Sequence, residues 1–260
     1  MRARVTTRKV LFIALLVSLI SSATVTISTI LLRPIQETNR QHYMHLNILK
    51  VAGLMREGVA LETQLQQLET HLVDLDSGKF YEVEQPGMYN QRKAKKDPSQ
   101  SIALSPTQDI AGIKRRAKYA PVYLLRDDNH RINKIILPVH GYGLWSTLYG
   151  FIALQSDTVT VIGVRFYEHT ETPGLGGEVD SSRWLAQWNG KKIFDSRGQP
   201  KIQLVKGGVN HDDPSTIYQV DALSGATLTN RGVENLLKFW LGDDGFGPFL
   251  ARVRSSGDRI

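Results

Sequence analysis

The stretch TIYQVDALSGATLTNRGVENLLKFWL, residues 216–241, combines three kinds of local pattern. TIYQV (216–220) has the β-branched and aromatic composition of a strand. NRGVENLLKFWL (230–241) spaces its apolar residues as an amphipathic helix does. Between them, DALSGATLTN (221–230) is small and rich in hydroxyl side chains. A strand, a short turn and a helix in immediate succession indicate a domain that mixes both types of element.

The turn contains more hydroxyl groups than one helix cap requires, namely those of Ser224, Thr227 and Thr229. Gly225 permits a backbone conformation that other residues resist. Thr227 or Thr229 can cap the helix that follows, and the free amides at a helix N-terminus also favour an anion such as phosphate. The residues alone leave both interpretations open and favour the plain cap.

From residue 118 onward, the composition of the chain is typical of β-structure. Together with the helical patterns, this predicts the α+β fold class. Further strands are predicted at 119–126, 134–139, 149–154, 158–167 and 201–205, and a further helix at 181–188.

Residues 35–76 are predicted to be helical, with breaks at Gly53 and Gly58. A heptad-like stripe within them predicts a packed helix or a helix that binds a partner; it consists of Leu61, Leu65, Leu68, Leu72 and Leu75. Residues 84–109 are polar and contain four turn-forming Pro and Gly residues, so they are predicted to form a linker.

An uncharged apolar run, VLFIALLVSLISSATVTISTILL, occupies residues 10–32. A helix of this length measures about 35 Å, which exceeds a hydrocarbon core of about 30 Å. Its Ser and Thr side chains can bond back to the helix backbone. The run therefore predicts a transmembrane helix; the alternative is a cleaved signal peptide with an apolar core at 10–20.

The positive charge is concentrated before this run. Of a net charge of +7, residues 1–9 contribute Arg2, Arg4, Arg8 and Lys9 without any acid. This segment is predicted to be a cytoplasmic basic N-terminus, with everything after Arg33 in the periplasm of a bacterium. The remaining chain is only weakly basic, which argues against nucleic-acid binding.

Several kinds of site are disfavoured by the sequence. The chain has no cysteine, which excludes disulfides, thiolate metal sites and thiol catalysis. It has no G-x-S-x-G elbow, no P-loop and no strand-linked G-x-G-x-x-G. His169 and Glu171 are two residues apart, a spacing that is poor for a helical metal pair, so no metal site is expected.

Two other glycine-containing stretches are unusual. HGYGLWSTLYGFIAL (140–154) offers planar side chains, including Trp145, beside glycines that permit close backbone approach. HTETPGLGG (169–177) places a turn and exposed amides around Leu175. Taken singly, the first is typical of a turn with core aromatic residues and the second of a loop.

Together these stretches carry a resemblance. VDALSGATLTN resembles the flavinylation motif of periplasmic FMN-binding domains, whose pattern is Asp, two residues, Ser or Thr, Gly, Ala, then Thr or Ser. In this chain the matching residues are Asp221, Ser224, Gly225, Ala226 and Thr227. The resemblance implies that Thr227 bears FMN through a phosphoester bond. HTETPGLGG is similar to the E-T-P-G-L-G loop of the same domains.

The segments NILKVAGL (47–54) and GLWSTLYGFIAL (143–154) are similar to those of C subunits of sodium-translocating NADH:quinone oxidoreductases, and the likeness covers about residues 8–245. It implies a single N-terminal transmembrane helix followed by an exported mixed α/β FMN-binding domain that relays electrons through covalently bound FMN. It also implies non-covalent contacts with the flavin from Glu171, Thr172, Gly174, Leu175, Gly176 and Trp145.

The same resemblance implies the partners. NADH and quinone would bind other subunits of a membrane complex, and an FAD-dependent flavin transferase would attach the FMN. Asp221 would help that enzyme to recognise or to activate the site. The implied domain plan is a helical and linker region at 33–117, an FMN-binding domain at 118–245 and a C-terminal tail at 246–260. Two alternatives remain: the G subunit of an Rnf electron-transport complex, and a membrane-anchored binding or assembly domain without a cofactor.

Overall fold

The computed structural model describes residues 6–210 and 212–256. Parts of the predicted basic N-terminus (1–9) and C-terminal tail (246–260) therefore lie outside the described residues. The chain divides into two compact units, Met1–Met44 and a second unit that begins at His45. The α+β class with one apolar N-terminal helix is confirmed.

The first unit contains most of helix α1 (Thr7–Val51). The last residues of this helix, from His45 onward, belong to the second unit. By length and composition α1 is able to cross a membrane, and its residues 10–32 are exposed. The predicted back-bonding is present: the Thr24 hydroxyl donates to Ile20 O and that of Thr29 to Val25 O, both at 2.8 Å. The helix continues through Pro34, although the apolar run ends there.

The second unit is built around an antiparallel sheet. Its other helices are α2 (Leu61–Leu65), α3 (Gln91–Lys96), α4 (Ser182–Ala186), α5 (Thr227–Leu241) and α6 (Gly247–Ser255). Its strands are β1 (Leu68–Asp74), β2 (Phe80–Tyr81), β3 (Ser101–Ala103), β4 (Arg115–Ala117), β5 (Tyr119–Arg126), β6 (Ile132–Tyr142), β7 (Thr147–Gln155), β8 (Val161–Glu168), β9 (Gln203–Val205) and β10 (Gln219–Asp221).

The main sheet has six strands in the order β2-β1-β5-β6-β7-β8. Strands β5 to β8 are hairpin neighbours, and β5 has the bounds predicted for it, 119–126. Two smaller pairs, β3 with β4 and β9 with β10, complete the β-structure. The parallel pairing of β9 with β10 holds the strand that leads into the 222–226 turn.

The helix predicted over residues 66–76 is wrong. β1 pairs along its whole length with β5, from Leu68 opposite Leu125 to Asp74 opposite Tyr119. Leu68 and Leu72 are four residues apart, a spacing that places two side chains on one face of a helix or on one face of a strand. Tertiary pairing with β5 decides between the two, because it satisfies the backbone groups of β1 and buries Leu72 and Val73.

Helix α5 packs on one face of the sheet and brings its N-terminus to the end of β6. The Trp240 indole N–H donates to His140 O at 2.6 Å, and a Cβ on Gly141 would lie 2.5 Å from Leu236 Cβ. The end of α1 lies against the sheet as well, since Lys134 Nζ donates to Ala52 O at 2.8 Å. The sheet therefore supports α5 and fixes its orientation.

Three other predicted elements differ from the structure. Residues 214–218 form a 3-10 turn, so only the end of the strand predicted at 216–220 is extended. The predicted linker at 84–109 contains α3 and β3. The C-terminal tail, which showed no interpretable motif, contains α6, and the side chains of Phe249, Leu250 and Val253 are fully buried in the main core.

Replacing Phe249 by alanine tests whether the tail is part of the core. The Phe249 side chain is fully buried and its ring centroid lies 5.7 Å from that of Phe80. We expect the Phe249→Ala change to lower the free energy of unfolding by about 3–5 kcal/mol, since it leaves a cavity. Denaturant unfolding of the full detergent-solubilised chain measures this, with Ala251→Ser at an exposed position of α6 as the control. Equal stability of the two variants would contradict the packing described.

Candidate functional site

The turn between β10 and α5 presents Thr227 to solvent. Thr227 is the first residue of α5 and is exposed, whereas Ala226 before it is buried. Gly225 has φ +69°, and a Cβ at this position would lie 2.9 Å from Leu175 Cδ2. Gly225 is therefore required twice, for the left-handed backbone and for the close approach of Leu175.

The first turn of α5 has free backbone amides beside this hydroxyl. The first intrahelical bond runs from Asn230 N to Ala226 O at 2.9 Å. The amides of the preceding residues therefore point out of the helix N-terminus, where the helix dipole also favours negative charge. A phosphate group esterified to Thr227 fits this environment, and its charge would be stabilised without an adjacent arginine.

The predicted threonine cap is wrong. The structure places Ala226 at the N-cap, without a side-chain cap hydrogen bond, because α5 begins at Thr227 rather than at residue 230. Thr229 is buried and its hydroxyl donates to Glu171 Oε2 at 2.6 Å. Ser224 is exposed in the turn. The three hydroxyls thus occupy different environments, and Thr227 combines exposure with the helix N-terminus.

Asn230 fixes the turn from the helix side. Its Oδ1 accepts from Leu223 N at 2.9 Å and its Nδ2 donates to Leu223 O at 2.8 Å. This two-point bond ties the beginning of the turn to the first turn of α5, and the side chain is buried. Sequence reasoning missed Asn230; the available signal was an asparagine, able to match a backbone amide and carbonyl together, seven residues after Leu223.

Asp221 is held at the other end of the turn. Its carboxylate accepts from Val209 N at 2.7 Å, and its backbone N–H donates to Gln187 Oε1 at 3.0 Å. The Trp184 indole N–H donates to Asp221 O at 2.8 Å. Asp221 therefore anchors the 207–209 loop, and no hydrogen bond joins it to Thr227 in the described part of the chain.

Glu171 is the charged centre of the site. It is 5% exposed and accepts hydrogen bonds from the backbone amides of Leu144 and Trp145, each at 3.0 Å to Oε1. Ser146 N adds a longer contact at 3.4 Å. Burial raises the pKa of Glu171, but the Thr229 hydroxyl and these amides outweigh burial and hold the pKa below its usual value. The carboxylate is therefore ionised at neutral pH.

Two glycines make room for this carboxylate. A Cβ on Gly143 would lie 2.6 Å from Glu171 Oε1. A Cβ on Gly176 would lie 2.5 Å from Thr229 Oγ1 and 3.0 Å from Glu171 Oε2. The glycines of the two unusual stretches thus lie against the same charged group, which explains why both stretches need small residues.

An apolar surface borders the 222–226 turn. Trp145 is 63% exposed and Leu175 is 44% exposed, and the Trp145 indole N–H donates to Thr172 Oγ1 at 3.1 Å. Leu175 N and Gly177 N both donate to Thr172 O, which closes the loop around Gly174 (φ +75°). The surface offers planar and aliphatic contacts of the kind that an isoalloxazine ring needs.

The structure therefore brings most of the sequence-predicted residues together. Glu171 and Gly176 meet Thr229 of α5, Leu175 lies on Gly225, and Trp145 bonds to Thr172. Trp145 is a surface residue rather than a core residue. Within residues 6–210 and 212–256 no group of three or more His, Cys, Asp or Glu side chains could hold a metal ion.

Comparison with known proteins gives consistent matches. The model of the FMN-binding domain matches residues 143–242, which include residues 143–154, the 169–177 stretch and the 222–226 turn. The C subunit of the Na(+)-translocating NADH-quinone reductase of Pseudomonas aeruginosa is 47% identical over 252 residues, covering 95% of this chain and 96% of that protein. The corresponding C subunit of Vibrio anguillarum is 46% identical over 250 residues, covering 96% of each.

Solved structures agree. The crystal structure of NqrC from Shewanella oneidensis superimposes with a TM-score of 0.76 at 35% identity, covering 84% of this chain and 99% of that one. The C subunit from Parabacteroides distasonis gives a TM-score of 0.63 at 28% identity, covering 84% and 96%. The chain belongs to the family of C subunits of Na(+)-translocating NADH-quinone reductases.

Proposed function

We propose that this chain is a membrane-anchored flavoprotein subunit of a sodium-translocating NADH:quinone oxidoreductase and that it relays electrons through FMN bound covalently to Thr227. Membership of the family and the FMN-binding domain support the flavoprotein assignment. One observation carries the covalent attachment: the exposed Thr227 hydroxyl stands at the N-terminus of α5, beside Leu175 and within the matched motif.

The protein's own groups have three tasks in this proposal. The free amides of the first turn of α5 bind the phosphate and lower the free energy of its negative charge. Leu175 and Trp145 supply the apolar and planar contacts for the ring. FMN, when bound, accepts and returns electrons, while the protein sets its exposure and hydrogen bonding.

Thr227 is an acceptor of the modification and takes no part as a nucleophile in turnover. A threonine hydroxyl is a weak nucleophile without an adjacent base, and no such base contacts Thr227 in the described residues. A separate FAD-dependent flavin transferase is therefore the proposed partner. It would form the bond from the Thr227 oxygen to the phosphorus of the FMN moiety, with AMP as leaving group and release of the hydroxyl proton.

The proposed arrangement places the N-terminus in the cytoplasm and the second unit in the periplasm. Arg8 and Lys9 precede the apolar run of α1, which favours retention of that end in the cytoplasm. NADH and quinone bind elsewhere in the complex, so this subunit passes electrons between other centres. The G subunit of an Rnf complex remains the alternative within the class, and the proteins that copurify separate the two.

Replacing Thr227 tests the attachment. Wild-type protein made with the transferase is expected to fluoresce in denaturing gels under ultraviolet light and to exceed the sequence mass by one FMN less water. Thr227→Ala removes both signals because the ester oxygen is lost. Thr107→Ala, at an exposed hydroxyl outside the site, retains them. Fluorescence that survives Thr227→Ala refutes the assignment, and a colourless wild type supports the cofactor-free binding domain instead.

The absence of cysteine from the sequence makes the orientation directly measurable. Arg197 has a side chain that is 85% exposed in the second unit, and Thr6 is exposed before α1. In intact cells with a permeable outer membrane, Arg197→Cys is expected to react with a membrane-impermeant maleimide. Thr6→Cys should react only after the inner membrane is opened. The reverse pattern contradicts the proposed topology.

A further inference from the structure

Glu171 connects both unusual loops to the helix that carries Thr227. We propose that Glu171 is a positioning residue for flavin attachment rather than a ligand of the flavin. Its carboxylate fixes the loop that contains Trp145 (residues 143–146) against the first turn of α5 before any flavin is present. The inference rests on the proposed attachment at Thr227.

The Glu171 carboxylate is already occupied by protein donors. Oε1 receives Leu144 N and Trp145 N at 3.0 Å each, and Oε2 receives the Thr229 hydroxyl at 2.6 Å. Leu144 N also lies 3.2 Å from Oε2. With 5% of the residue exposed, Glu171 has neither the surface nor the free acceptor sites of a ligand-binding group.

The surroundings of the carboxylate suit an anion specifically. All the groups that face the two oxygens are donors: successive backbone N–H groups and one hydroxyl. Successive amides that converge in this way form an anion-binding nest. A glutamine of the same size would turn its NH₂ group towards donors, so at least one buried group would lose its partner.

The carboxylate fixes the positions of Trp145 and of the first turn of α5. Thr229 lies two residues after Thr227 on the first turn of α5, so the bond to Glu171 anchors that turn. Trp145 is held twice, by its backbone N–H to Glu171 and by its indole N–H to Thr172. One buried charge therefore holds in place both Trp145, which offers the apolar contact, and the helix turn that carries the Thr227 hydroxyl. This is the arrangement of a preorganised site.

The structure provides a spectroscopic reporter for this arrangement. Of the four tryptophans, Trp145 is 63% exposed, whereas Trp184, Trp188 and Trp240 are at most 4% exposed. Quenching of tryptophan fluorescence by acrylamide, together with the anisotropy of the quenchable fraction, therefore reports on Trp145 in the unmodified protein. A Trp145→Phe variant identifies that fraction.

The experiment compares five forms of the full chain in detergent: wild type, Glu171→Gln, Thr229→Val, Thr229→Ser and Glu178→Gln. Thr229→Ser retains the hydroxyl that reaches Glu171. Glu178→Gln removes the same charge at an exposed position of the same loop region. The readouts are the anisotropy of the Trp145 fraction before modification and the initial rate of FMN incorporation with purified transferase and FAD.

We expect Glu171→Gln and Thr229→Val to lower the Trp145 anisotropy and to slow FMN incorporation about tenfold or more, since small misplacements of reacting groups are costly. Thr229→Ser and Glu178→Gln are expected to behave as the wild type. Unchanged anisotropy and unchanged rates in Glu171→Gln and Thr229→Val overturn the proposal. Normal anisotropy with a slow rate in Glu171→Gln also overturns it, because the carboxylate would then act on the flavin or the transferase directly.

The outcome is separable from that of the proposed function. If the wild type takes up no FMN at Thr227, the attachment fails while the anisotropy still decides whether Glu171 orders the loop. A variant that does not fold is recognised by loss of the far-ultraviolet circular dichroism signal; Thr229→Ser, which retains the hydroxyl, and Thr229→Val, which replaces it by a methyl group, then supply the comparison.

The pH dependence of stability provides a further prediction. The pKa of Glu171 is lowered in the folded protein from its ordinary value of 4.5, since its hydrogen bonds outweigh burial. The ionised clamp therefore contributes stability that is fully present above pH 4.5 and is lost as the pH falls through the lower, folded value. Wild type is expected to exceed Glu171→Gln in urea midpoint at pH about 7 and to lose this advantage progressively as the pH falls below 4.5.

The control for this measurement lies in the comparison itself. His169, whose Nδ1 accepts from Glu171 N at 3.3 Å, and Asp180, at 3.4 Å from His169 Nε2, are present in both proteins. The two proteins therefore differ only at residue 171. A difference that stays constant from neutral to acidic pH would show that the ionised form of Glu171 contributes nothing.

Discussion

A single buried carboxylate holds together three parts of the chain that are far apart in sequence. Glu171 binds the turn that follows β6 through backbone amides and the first turn of α5 through the Thr229 hydroxyl. A buried charge is tolerated only when hydrogen bonds replace the water it has lost. Here that requirement places two loops and one helix end in a fixed relation, and the rest of the site is arranged around it.

The local features of the chain were predictable from the sequence. The membrane-length run, the strand at 119–126 and the helix that ends at Leu241 are each defined by residues within one element, so periodicity and composition identify them. The 222–226 turn was recognisable because its glycine has a conformational requirement: Gly225 adopts φ +69°. These local patterns identify their elements without any knowledge of the tertiary contacts.

The remaining features depend on contacts between distant residues. The leucine spacing at 61–75 suits a helix, but Leu68–Asp74 forms a strand because it pairs with β5. The role of Thr229 follows from Glu171, which lies on a loop before α4, and no local rule links the two. In the sequence, Asn230 is an ordinary polar residue at the start of a helix. Its role depends on Leu223, whose backbone N–H and carbonyl the fold places beside it. In each case the sequence contained the group and the fold supplied its partner.

The position of α6 has a consequence for the timing of maturation. Its side chains Phe249, Leu250 and Val253 belong to the same core as Trp240 of α5, so the helix that bears Thr227 is supported from behind by residues synthesised after it. A nascent chain that has emerged only as far as Leu241, the end of α5, lacks this support and leaves Trp240 without its contact with Phe246. The packing of α5 is therefore complete only after α6 has been synthesised and has folded against it.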